Sequence, residues 1–252
     1  MARLKWTLCA LLAVGSLATS VAHGKDNAPL MLPKGARVGV VNMLDPSVTH
    51  FHASKVLAES FLKTHAVRWR VDAMLADAVR QRLAQLGLVA VPLGPGDALA
   101  RGRDEFFVNN SVAKGLSRAC AGDFAQLAAS EHLQALIVLA PGLNNSAQAG
   151  GAVQRSLPNY LRGWGFVTNA QSDKPPSLFN MTQLLLIGVT VDNAILSARE
   201  WGGSYTDEWT DYVPPGDLKQ MGPELLDRLQ PLFDRILSRQ SGRLLDGLSV
   251  SP

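Results

Sequence analysis

The chain has 252 residues, is 47% hydrophobic and 18% charged, and carries a formal net charge of +3. Those values suit a globular protein with a sizeable core and exclude a disordered or low-complexity chain. The length fits one or two domains. So small a net charge gives no reason to invoke nucleic acid as a partner.

At the start of the chain, Arg3 and Lys5 precede an apolar run, Trp6 to Val14 and Leu17 to Val21, which ends in the small residues Ser20-Val21-Ala22. This pattern predicts a secretory signal peptide over residues 1–24, cleaved near Ala22 or Gly24. The mature chain then begins at His23 or Lys25 and forms a single domain over residues 25–252. The rival reading, an uncleaved membrane anchor, is disfavoured by the short run and by its break at Gly15 and Ser16. Cys9 lies at the head of the apolar run, not behind it, so it is no lipoprotein cysteine. Its removal leaves only Cys120 and therefore no internal disulfide. An exported chain of this size without disulfides points to a bacterial envelope and a periplasmic location.

Lys25 to Lys34 reads as a polar lead-in. Arg37 to Leu44 is a first strand, followed by a turn at Asp45-Pro46-Ser47. Val48 to Val67 is ambiguous, with Val56, Leu57, Ser60 and Phe61 suggesting a short helix inside Ser54–Thr64. The clearest unit is Trp69 to Leu93. Val71, Met74, Leu75, Ala78, Val79, Leu83 and Leu86 recur at helical spacing, and Gly87 follows the last turn as a left-handed cap. Leu88 to Leu93 then reads as a buried strand. Strand, helix, strand makes a βαβ unit, the seed of a parallel or mixed sheet.

Ser111 could cap a helix through Arg118, and Asp123 a second one with Phe124, Leu127, Ala128 and His132 or Leu133 on one side. Ala135 to Ala140 is an apolar run of strand length, which completes a second crossover. Leu143 to Pro158 is a long polar loop. Gly163–Thr168, Met181–Val191 and Ile195–Asp207 read as antiparallel neighbours, the last two joined by a reversal at Asp192-Asn193-Ala194. Met181–Val191 carries apolar residues on both faces, so it belongs inside the sheet. The more polar returning strand is a candidate edge. Pro223 opens a closing helix, and Pro231 kinks it or marks its true start. The fold expected is α/β: a mixed β-sheet flanked by helices, with two βα crossovers, then an antiparallel hairpin and a C-terminal helix.

Several stretches carry a resemblance: Val38-Gly39-Val40-Val41, Gly87-Leu88-Val89-Ala90-Val91 after a helix, Asp123–Ala140, and Val191-Asp192-Asn193 leading to Glu200-Trp201. With a leader in front, this order resembles the envelope domains related to the amino-terminal domain of TolB and to the curli-secretion lipoprotein CsgG. The resemblance is one of pattern and covers most of the mature chain. It departs at Val48–Val67, at Leu143–Pro158 and in lacking a lipid-bearing cysteine. It implies a role in assembling or regulating envelope machinery, and it carries over no catalytic residue.

Two constellations stand out chemically. His50-x-His52 puts two imidazoles on one face if the segment is extended. With Asp45 or His65 they are the candidate metal ligands, although zinc needs three or four and nothing in the sequence fixes the rest. The competing reading is a polar turn with surface histidines. Trp201, Tyr205 and Trp209 lie four apart, and on a strand they share a face. Asp207, Glu208 and Asp211 lie close by, with Tyr212 beyond. Aromatics beside acids suit a partner or a sugar ring. Tyr205, Asp207, Glu208, Trp209 and Tyr212 are therefore the candidate partner-binding residues, with Trp209 and Tyr212 expected to be exposed and Trp201 to be core. Ser111-Val112-Ala113-Lys114 matches Ser-x-x-Lys, but its companion motifs are missing.

No catalytic residue and no cofactor is assigned. The expected function is non-catalytic: a periplasmic protein binding a partner in envelope assembly or polymer export. That partner would be an envelope protein or a cell-wall or exopolysaccharide component, with room for association with the outer membrane. Two other classes stay open, a periplasmic hydrolase or metal-dependent enzyme using His50, His52 and Asp45, and a carrier with a small-molecule pocket.

Overall fold

The structure, a computed structural model, describes residues 30–94, 118–141, 163–170, 174–189, 195–241, 245 and 248–251. The leader, Ser111 and Lys114, and the expected loop after Leu143 lie outside those residues.

Strands β2 (Arg37–Asn42), β5 (Val89–Leu93) and β6 (Ala135–Pro141) are parallel, with β2 in the middle. Helix α1 (Val71–Gln85) makes the crossover from β2 to β5, and α2 (Arg118–Ser130) the one from β5 to β6. The α1 stripe buries Val71, Leu75, Val79 and Leu83, as its spacing predicts. Gly87 holds φ +73°, the left-handed cap that a Cβ would strain. Asp123 does not cap α2. The helix begins five residues earlier, and Asp123 lies inside it, beside the buried Phe124 and Ala128. The expectation of a buried Leu88–Leu93 strand also fails. β5 ends its row of strands, so a flank is open, and Val89 is 46% exposed.

The antiparallel part is organised by a long hairpin, β8 (Ser177–Val189) and β9 (Ile195–Glu208). β6 pairs with the second half of β8, Thr182 to Gly188, and β7 (Gly163–Asn169) with the first half, Ser177 to Met181. Two rows of strands thus meet end to end along one side of β8, while β9 runs along the other. Among the described residues β9 pairs with β8 alone, which makes it an edge. Leu184 and Leu186 face one core; Leu185, Ile187 and Val189 face another. A strand buried on both faces reads as a continuous apolar run.

Val48 to Val67 holds the largest departure from expectation. It forms β3 (Ser47–Ala53), a 3-10 turn at Leu57–Glu59 and β4 (Phe61–Ala66), an antiparallel hairpin that packs beside β7. The apolar spacing at Val56, Leu57, Ser60 and Phe61 mimics a helix. Strand pairing prevails because β3 completes the row β4-β3-β7, and β7 needs a second neighbour. Gly165 is required there, since a Cβ on it would lie 2.2 Å from the Thr49 carbonyl oxygen and from Phe179 Cζ. The lead-in also carries structure: β1 (Leu30–Pro33) pairs in parallel with β10 (Leu248–Ser251).

The closing helix is two pieces, α3 (Pro223–Asp227) and α4 (Gln230–Ser241), and Pro231 marks the start of the second. Leu226, Leu229, Phe233, Ile236 and Leu237 are buried against α1 and the sheet. That core continues across both rows of strands, from Val38, Val40 and Ile137 to Trp164, Phe166 and Leu178.

Candidate functional site

β3, β4 and β7 turn alternate residues to one face. The registers His52↔Phe61, His50↔Lys63 and Val48↔His65 on one side, and His50↔Phe166 and His52↔Thr168 on the other, bring the three histidines together. The His50 ring centroid lies 5.8 Å from that of His65 and 6.4 Å from that of His52. Phe166 stacks on His50 at 4.4 Å, and Phe61 stacks on His52 at 5.2 Å. All three imidazoles are buried, His50 completely. They are not surface histidines at a turn, because the segment is strand.

Thr168 Oγ1 ties the pair together. It lies 2.7 Å from His50 Nε2 and 2.8 Å from His52 Nδ1. A hydroxyl has one proton to give, so with both rings neutral it donates to one imidazole and accepts from the other. His50 Nδ1 and His65 Nε2 are buried with no hydrogen-bond partner. The Leu218 backbone lies near enough to His50 to favour its protonated form, without closing a well-formed bond to Nδ1. Burial pushes His50 down to about 3, helped by His65, His52 and Lys63. Burial likewise lowers His52, against a small pull from Glu59, and lowers His65, with Lys63 adding to the effect. The cluster is therefore neutral at ordinary pH.

Among the described residues, no group of three or more His, Cys, Asp or Glu is arranged to hold a metal ion. His50 and His52 do share a face, but the nitrogens they turn toward each other are taken by Thr168. Asp45 is exposed, whereas the three histidines are buried.

The segment from Trp209 to Met221 meets this face at its two ends, through Trp209 against Phe166 and through Leu218 and Lys219 near His50 and Phe61. Trp209 is 0% exposed, edge-on to Phe166 at 5.6 Å, and its ring lies 4.8 Å from that of Tyr212. The expectation that Trp209 is an exposed contact is thus corrected. Its amide donates to the Pro176 carbonyl at 2.8 Å, and this turns the chain inward just past β9. Tyr212 is half-buried rather than exposed, and burial pushes its hydroxyl up to about 12. Asp207 is turned toward α4, 3.5 Å from Arg239 and 3.8 Å from Arg235. Asp211 pairs with Arg228, which holds its carboxyl below the usual range. Glu208 is exposed. The side chains of Tyr205 and Trp201 lie outside those described.

The two sequence candidates are therefore one assembly. Phe166 contacts His50 on one side and Trp209 on the other. Lys219 Nζ stands 5.4 Å from the Phe61 ring, and Lys63 Nζ donates to the Lys219 carbonyl. Phe166, with Trp164, carries in the sequence the same core-or-contact ambiguity as the aromatic patch, whereas Thr168 and Lys219 carry no signal of their own and His65 enters only as a third ligand. The period-two alternation of Phe61, Lys63 and His65 was the available signal. Elsewhere, a cleft of about 680 Å³ between α1 and α4 is lined in part by Gln81, Arg82 and Asp234. None of the three histidines reaches it.

The fold and site together define a mixed α/β protein with a buried histidine cluster under an aromatic cover. No protein-family model matches the chain, and no curated protein matches it. Solved structures with a similar backbone include the PelC dodecamer from Paraburkholderia phytofirmans, at 10% identity and a TM-score of 0.37, covering 89% of this chain and 95% of that one. Protein XCC0632 from Xanthomonas campestris aligns at 9% identity and a TM-score of 0.37, over 86% of this chain and 91% of that one. The hypothetical protein CT253 from Chlamydia trachomatis aligns at 11% identity and a TM-score of 0.35, over 82% and 96%. At that degree of likeness no activity or partner passes from those proteins to this chain.

Proposed function

We propose that this is an exported envelope protein that works by binding a partner chain along the edge of its sheet, in envelope assembly or polymer export. The observation that carries the reading is β9. It is a strand of 14 residues that pairs on one side only among the described residues. An unpaired row of N–H and C=O groups is a template for a further strand. The leader over residues 1–24 and the pattern resemblance to envelope domains support the location. Glu208, at the end of β9, and Asp211, just past it, are the exposed members of the aromatic–acid patch. No helix among the described residues is long and apolar enough to cross a membrane.

The test is made in the envelope of the producing cell. A photo-crosslinking side chain is placed at Ser197 or Ser204 on β9, and at Gln81 on α1 as control. The expected result is a discrete crosslinked species from the β9 positions alone, with the mature chain starting at His23 or Lys25. Crosslinks from Gln81 but none from β9 would favour the cleft between α1 and α4, and with it a carrier. A chain that starts at Met1 in the soluble cytoplasmic fraction would sink the envelope reading.

A further inference from the structure

The histidine cluster has a property that partner binding does not require. Three imidazoles sit within reach of one another in a buried pocket. One hydroxyl serves two of them, and two ring nitrogens have no partner. The charged groups around them are mostly of one sign. β4 contributes Lys63, which faces His50 and His65, and the covering segment contributes Lys219 over Phe61. The turn before β4 contributes, among the described residues, the one acid that acts on the cluster, Glu59, and it acts on His52. β7 brings Thr168 and Phe166, neither of them charged. The acids of the covering segment are engaged elsewhere: Asp211 with Arg228, and Asp217 with the Lys219 backbone amide. Tyr212 stays neutral in this range.

We propose that His50, His52 and His65 form an acid-sensitive latch: as they take up protons, the Trp209–Met221 segment lifts off the β4-β3-β7 face. Among the described residues a proton arriving on His50 or His65 meets no carboxylate, and the Leu218 backbone, which favours it on His50, is outweighed by burial and the neighbouring imidazoles. With both His50 and His52 protonated, two donors converge on Thr168 Oγ1, whose own proton then lacks an acceptor in the pair. Opening the cover hydrates His50, which the Leu218 backbone approaches, and bares Phe61 and Phe166, the rings stacked on His52 and His50. It must break the aromatic contacts of Trp209, the amide of Trp209 on Pro176, the Arg228 contacts to Asp211 and the Lys219 contacts to Lys63 and Phe61. Trp209 and Met221 belong to the core on which α1 and α4 pack, so opening withdraws those two side chains from it.

The sign follows from linkage. A histidine whose folded value is depressed binds fewer protons closed than open. The closed form is therefore fully favoured above about pH 6.5 and loses ground as pH falls below it. For His50 the loss continues down to its folded value of about 3. Each proton taken up on opening raises the open fraction about tenfold per pH unit.

Hydrogen exchange of the full chain between about pH 7 and pH 5, corrected for the intrinsic pH dependence, reads this directly. The 209–221 segment is expected to lose protection about tenfold or more per pH unit below about pH 6, while α1 keeps its own. The double variant His50→Gln/His65→Gln should flatten that slope. Protection of 209–221 that stays constant, or that falls in step with α1, overturns the latch, as does an unchanged slope in the variant. If the double variant does not fold, imidazole NMR on the unmodified chain decides. A His50 resonance titrating at its ordinary value while the segment stays protected overturns the proposal. One that titrates far lower, together with opening, supports it.

Discussion

Trp209 shows how much a single residue depends on what receives it. From the sequence it lies past the end of a polar strand and a few residues before Pro214-Pro215, which reads as an exposed position. In the fold it is fully buried between Phe166 and Tyr212. Trp209→Ala should therefore cost about 3–5 kcal/mol in urea unfolding, since a cavity is left as well as a transfer term lost. A cost below about 1 kcal/mol would put Trp209 back on the surface. Thr168 makes a second residue-scale case. Thr168→Val keeps the shape but strands His50 Nε2 and His52 Nδ1, so the loss should be about 1–3 kcal/mol. His50→Phe should relieve part of that loss in the Thr168→Val background, because it removes one of the stranded nitrogens. Simple additivity in the double-mutant cycle would show that the two groups do not share the hydroxyl.

At the scale of elements, the βαβ framework was legible because its signals are local. The Val71–Leu83 stripe, the Gly87 cap and the Ala135–Ala140 run each announce their structure within one segment. The hairpin of β8 and β9 was legible too, and so was the edge character of β9, from the change in polarity between the two strands. What was not legible depends on partners distant in sequence. β3 pairs with β7, more than a hundred residues on, with β4 added on its other side, and β1 pairs with β10. The histidine cluster inherits that blindness: His50-x-His52 is visible as a pair, but its burial is decided by Phe166, Thr168 and the Trp209–Met221 cover. Gly165 is the place to test the β3–β7 contact. Gly165→Ala would push a Cβ onto a backbone oxygen that has no rotamer to change, so β3 and β7 must separate. A loss of about 1–3 kcal/mol is expected in denaturant melts, together with a rise in His50 toward its ordinary value as the pocket loosens. A Gly165→Ala variant as stable as the parent would mean that the two strands are not in contact there.

For the molecule as a whole, the question is whether two rows of strands joined end to end behave as one domain. The row β5-β2-β6 and the row β4-β3-β7 share no direct register of their own among the described residues; both are held by β8. Sheet pairing alone would let them separate. The core argues against this, because one cluster runs from Val38, Ile137 and Leu184 under α1 and α4 to Trp164, Phe166 and Trp209. Phe233 of α4 is the join. Its ring lies 5.8 Å from Trp69 and 5.2 Å from Trp164, so a helix packed on one row also contacts the other. Unfolding should then be a single transition. Tryptophan fluorescence, which at Trp164 and Trp209 samples the histidine-bearing row, should follow the same denaturant curve as far-UV circular dichroism. Leu139→Ala, in the opposite row, should shift both curves together by about 2–5 kcal/mol. If Leu139→Ala moved the circular dichroism curve and left the fluorescence curve in place, the two rows would be separate folding units. The Trp209–Met221 cover could then open by unfolding its own row, and a local latch would no longer be needed to explain acid sensitivity.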